Sequence, residues 1–108
     1  MSKLEKKAFM SHKENGFRLN FPNGNSLSTV WGLGTYTDNN DIDFERDDIV
    51  KAYSEKRSSN TVEVMAGCSD TVNELLKAKF PDEDNNGVFG HLTFSKWLEI
   101  VNILNNNK

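Results

Sequence analysis

The sequence is poor in residues that cross-link a chain, hold metal or enter a membrane. Its 108 residues include one cysteine, Cys68, and two histidines, His12 and His91. A lone thiol excludes an internal disulfide, and a reducing cytoplasm is the expected setting. One cysteine and two histidines without ligand spacing do not make a zinc site, and no metal or cofactor is expected. No apolar run approaches the ~18 residues of a membrane span. The charged start, Met1–Lys7, has no apolar signal region behind it, so a protein away from membranes is expected. A large excess of either charge is missing as well: 13 basic residues against 16 acidic give a net charge of −3. Duplex nucleic acid is therefore not an expected partner, because affinity for it comes mostly from neutralising phosphates. Arginine occurs only at positions 18, 46 and 57 amid many lysines and asparagines, a hint of an AT-rich coding genome. The length predicts a single domain over 1–108 that buries roughly two-thirds of its unfolded surface.

What is present is concentrated in Phe17–Tyr36. Phe17, Leu19 and Phe21 alternate with Arg18 and Asn20, as in a strand with one apolar face. Beyond Pro22-Asn23-Gly24, a second run places Leu27, Thr29 and Trp31 on one face. A two-residue Asn23-Gly24 turn would pair Phe21 with Ser26 and Leu19 with Ser28. A three-residue loop, with Gly24 left-handed, pairs Phe21 with Asn25, Leu19 with Leu27 and Phe17 with Thr29. The second register gathers Phe17, Leu19, Phe21, Leu27 and Trp31 on one face, and Pro22 already has the φ it needs. It is the register expected.

Elsewhere the pattern is shorter. Lys7–His12 reads as a first strand, with a short helix over Leu4–Met10 as its rival, and Asn15-Gly16 as a turn. Asp38–Asp43 reads as loop, and Asp47–Arg57 as a short helix with acids leading and bases trailing. Thr61–Ala66 alternates and reads as a strand ended by Gly67. Thr71 and Glu74 form a capping box ahead of Val72, Leu75, Leu76 and Phe80, and Pro81 stops that helix. Thr93 caps a last helix whose expected apolar stripe is Phe94, Trp97, Leu98, Val101 and Leu104. Strands followed by helices predict an α+β domain: an antiparallel sheet built on the hairpin and packed by two C-terminal helices.

The segment Phe21–Tyr36, with its Phe-Pro-Asn-Gly turn followed by Ser28-Thr29-Val30-Trp31-Gly32-Leu33-Gly34-Thr35-Tyr36, resembles a group of small uncharacterised bacteriophage proteins. The likeness covers Gly16–Tyr36 well and the strand at Ser59–Val64 loosely. The chain from Asp70 onward carries none of it. That group brings no established activity. What the resemblance implies is an accessory phage protein acting on host physiology or host defence, in the host cytoplasm.

Several constellations could carry function. Trp31, Gly32, Gly34, Thr35 and Tyr36 form the strongest candidate: two glycines admit a ligand close to the backbone, and flanking aromatics stack on a base. Thr37 stands where a dinucleotide fingerprint needs its third glycine. The competing reading is a strand that bends at its glycines while Trp31 and Tyr36 pack the core. Lys51 and Arg57 could anchor a phosphate, or simply face solvent. Asp82–Gly87 fits the first half of a calcium loop, but Thr93 holds the position of the bidentate glutamate, so an acidic turn is expected. Cys68 lies near a helix start, where a thiol can become reactive; an idle thiol is the expectation.

No catalytic constellation emerges, and an enzyme is not expected. The first functional expectation is a counter-defence protein that sequesters a small nucleotide-like signal. Such a protein would form a homo-oligomer to deepen a shallow pocket. The alternative is direct inhibition of a host protein through an apolar patch on the last helix, where Trp97 and Ile100 are not expected to share one core.

Overall fold

A computed structural model describes residues 7–11, 15–31 and 59–108. In chain order these form β1 (Phe9–Ser11), β2 (Gly16–Asn20), β3 (Ser26–Val30), β4 (Val62–Gly67), α1 (Asp70–Lys79), β5 (Asp84–Asn85), β6 (Val88–Leu92) and α2 (Phe94–Asn106). The hairpin β2–β3 has the three-residue loop. Phe17 pairs with Thr29 and Leu19 with Leu27. The Phe21 N–H donates to the Asn25 carbonyl at 2.8 Å, and the Gly24 N–H to the Phe21 carbonyl at 3.0 Å. Gly24 sits at φ 96°, a conformation that favours glycine. Gly16 starts β2 rather than a turn, and a Cβ there would collide with the Thr29 carbonyl oxygen.

Among the described residues the strands make one antiparallel sheet, in the order β1-β2-β3-β4-β6-β5. Leu27, Val64, Phe89 and Leu92 from the sheet form one buried cluster with Val72 and Leu76 of α1 and Ile100 and Leu104 of α2. The architecture is α+β, as expected, with the C-terminal helix packed on the sheet. The first strand occupies Phe9–Ser11. The expectations for 32–58, including the Asp47–Arg57 helix, lie outside the described residues.

Two expectations need correction. First, α1 starts earlier than the Thr71–Glu74 box: its cap is Ser69, whose Oγ accepts the Val72 N–H at 3.3 Å. This start puts Asp70 in the first turn, where the helix dipole favours an acid. Leu75 is then exposed, and Val72 and Leu76 carry the buried face.

Second, α2 is capped by Thr93 as expected, but its buried stripe is rotated. Ile100 and Leu104 are fully buried and Trp97, Val101 and Ile103 pack beside them, whereas Phe94 is 70% and Leu98 42% exposed. Positions 97, 100, 101 and 104 follow the i, i+3, i+4, i+7 pattern, so Trp97 and Ile100 do share one core.

Residues 88–92, which no local sequence pattern marked as a strand, form strand β6 in the sheet interior. Its alternation is broken by a bulge. Val62 faces Leu92 and Val64 faces Phe89, so two steps on β4 oppose three on β6. His91 takes up the extra residue at φ 51°, exposed to solvent. Left-handed backbone tolerates glycine, asparagine and histidine far better than β-branched residues. His91→Val is accordingly expected to lose about 1–2 kcal/mol in denaturant melts, while His91→Asn stays within about 0.5 kcal/mol of the parent.

Candidate functional site

The site is assembled where β2, β3 and the first turn of α2 meet. Phe17 and Thr29 are cross-strand partners and project from one face of the hairpin. The Thr93 cap starts α2 just after β6, which carries Phe94 and Trp97 over that face. The Trp97 indole Nε1–H donates to Thr29 Oγ1 at 3.0 Å. Phe17 meets Trp97 edge-on, with centroids 6.1 Å apart and planes at 79°. Phe94 stacks on Trp97 at 5.9 Å and 30°. These rings, with Thr29, Val62, Leu92, Ser59 and Asn60, line a cleft of about 200 Å³. Aromatic walls with a hydroxyl and an amide among the lining residues suit a planar ring bearing polar edges.

Of the residues expected to bind ligand from the sequence, only Trp31 falls among those described. It continues the inward row of Leu27 and Thr29, and its backbone N–H donates to the Asn15 carbonyl at 3.1 Å. It is half-buried, and its indole N–H is shielded from solvent without a hydrogen-bond partner among the described residues. Trp31 is not among the residues of the cleft wall. Gly32, Gly34, Thr35, Tyr36, Lys51 and Arg57 lie outside the described residues. Sequence reasoning missed Phe17, Thr29, Phe94 and Trp97 as a group. One signal was available, a threonine at an inward position between Leu27 and Trp31. A buried hydroxyl needs a partner.

The acidic stretch is a turn. Asn86 at φ 55° and Gly87 at φ 88° make the two left-handed positions of a tight hairpin between β5 and β6. Asp84 Oδ1 accepts the Gly87 N–H at 2.8 Å, and Glu83 pairs with Lys96 at 3.0 Å. Among the described residues no three His, Cys, Asp or Glu side chains converge as metal ligands. No described helix is long and apolar enough to cross a membrane.

The nearness of Cys68 to the start of α1 does not activate it. Burial, and secondarily the Asp70 charge, push the thiol above its ordinary value. A raised thiol pKa keeps the nucleophilic thiolate scarce at neutral pH. Alkylation by iodoacetamide at pH 8 is therefore expected to run several-fold slower than for a free cysteine peptide, followed by intact mass. A rate at or above the peptide's would contradict this assignment.

Compared with protein families, curated proteins and solved structures, the chain matches none.

Proposed function

We propose that the protein is a non-catalytic binding protein that sequesters a small nucleotide-like signalling molecule, with its base stacked in the aromatic cleft. The observation that carries this reading is the cleft, walled by Phe17, Phe94 and Trp97 with Ser59 and Asn60 in its lining. Clefts that enclose whole drug-sized ligands run roughly 300–1,000 Å³, so one of about 200 Å³ suits a single ring system with the rest of the molecule outside. Aromatic faces stack on bases, and hydroxyls and amides read their edges. The resemblance to small bacteriophage proteins supplies the setting, counter-defence in the host cytoplasm. Lys51 and Arg57 are the residues proposed to meet phosphate. Trp31, Gly32, Gly34, Thr35 and Tyr36 are proposed as further ligand contacts, and a homo-oligomer as the form that encloses the exposed part of the ligand.

Calorimetry and thermal melts against a panel of cyclic and linear nucleotides test this. A true ligand at one hundred times its Kd adds about 2.7 kcal/mol of stability. Absence of heat and of any melting shift across the panel would sink the reading. A second reading, inhibition of a host protein, draws on the exposure of Phe94 and Leu98 one turn apart on α2. Native mass spectrometry of freshly purified protein separates the two, because a retained small molecule supports the first and a stoichiometric protein supports the second.

A further inference from the structure

Thr29 carries a hydrogen-bonding group that the fold uses only in part. The residue is 1% exposed, yet it lines the cleft. A hydroxyl offers one donor and two acceptor positions. Oγ1 accepts the Trp97 indole N–H, and the hydroxyl proton has no acceptor among the described residues. The bond from Trp97 satisfies the hydroxyl as an acceptor and leaves its donor free for a group that enters the cleft. Accepting from Trp97 also polarises the hydroxyl and makes it a better donor.

We infer that Thr29 donates through Oγ1–H to an acceptor atom on the leading edge of the ring that enters the cleft. The ligand class is then a ring with a ring nitrogen or an exocyclic oxygen, as in a nucleobase, and not a hydrocarbon ring. This rests on the ring-binding reading of the cleft and narrows it. Phe17, Phe94 and Trp97 hold any flat ring through area and stacking; Thr29 discriminates among rings.

Two shape-matched probes test the inference: quinoline-6-sulfonate, with a ring nitrogen distal to the sulfonate, and naphthalene-2-sulfonate, without one. Each is titrated into the intact chain and followed by NMR at the Trp97 indole N–H, identified by its loss in Trp97→Phe. The expected result is roughly tenfold tighter binding of the quinoline, with a shift of the indole signal. Thr29→Val should abolish that preference and Thr29→Ser should keep it. Because the readout is a ratio within each variant, lower stability of Thr29→Val does not mimic it. If Thr29→Val does not fold, the wild-type and Thr29→Ser ratios still decide. Equal binding of the two probes to the wild type, or a preference that survives Thr29→Val, overturns the inference and leaves the ring-binding cleft intact. Failure of both probes to bind overturns the ring-binding reading and the inference together.

Discussion

Trp97→Ala is expected to lower stability by about 3–5 kcal/mol, the range of large aromatic truncations. Three losses add. The indole packs against the buried cluster and against both Phe17 and Phe94, so its removal opens a void between sheet and helix. The edge-on and stacked ring contacts are lost. The Thr29 hydroxyl, almost fully buried, loses the donor it accepts from. Trp97→Phe separates the terms: it keeps most of the apolar area and removes the N–H, and should cost about 1–2 kcal/mol. Urea melts followed by circular dichroism measure both, with a lowered midpoint at unchanged slope as the expected signature. A loss below about 1 kcal/mol for Trp97→Ala would mean that the ring is a surface feature and not part of the core.

The second large effect concerns the hairpin loop. Asn25 is only 5% exposed, and its amide donates to the Leu104 carbonyl at 2.8 Å and to that of Asn107. Asn23 donates to the same Leu104 carbonyl at 2.8 Å, and its Oδ1 accepts the Asn25 backbone N–H at 3.0 Å. The last carbonyls of a helix have no intrahelical donor, and here the loop supplies them. Asn25→Asp removes the donors and sets a carboxylate among carbonyls at the negative end of the dipole. Its expected cost at pH 7 is about 2–4 kcal/mol, against about 1–3 kcal/mol for Asn25→Ala. The two variants differ in pH dependence. Burial and the neighbouring carbonyls would raise the new carboxyl's folded pKa above its unfolded value. The protonated form is therefore the one the fold tolerates. The penalty should be smallest below the unfolded carboxylate pKa, grow as pH rises through the folded one, and then level off. Melts at several pH values check this, and a flat difference between the variants would show that the new carboxyl reaches solvent.

Much of this frame could be read in advance where one local signal decided the answer. Pro22 and Gly24 select the hairpin loop, and the loop sets the register of Phe17 against Thr29. Thr93 marks the start of α2, and the alternation over Val62–Ala66 marks β4. The misses arose where tertiary context outweighed local pattern. The bulge at Gly90-His91 interrupts the period of two, so β6 lacked a clean signature. Ser69 and Thr71 both offer a hydroxyl to a helix start, and Ser69, the earlier one, takes the cap. Phe94 and Leu98 look like core by composition, but the sheet accepts the face carrying Ile100 and Leu104. The cleft was the least legible feature, because Phe17 and Trp97 lie 80 positions apart and only the folded sheet brings them together. Trp31, prominent in the sequence for its glycine-rich surroundings, continues the inward row of Leu27 and Thr29.

The borders of the sheet bear on how copies of this chain can meet. Among the described residues the outermost strands are β1, three residues long, and β5, two residues long and carrying Asp84. Margins this short expose few free main-chain donors and acceptors, which disfavours end-on stacking of sheets into fibrils. A two-residue margin also gives little purchase for a strand added from a neighbour. Self-association of this fold therefore has to draw its free energy from side-chain surfaces, and should respond to changes in exposed aromatics such as Phe9 and Phe94 more than to changes at the β5 margin.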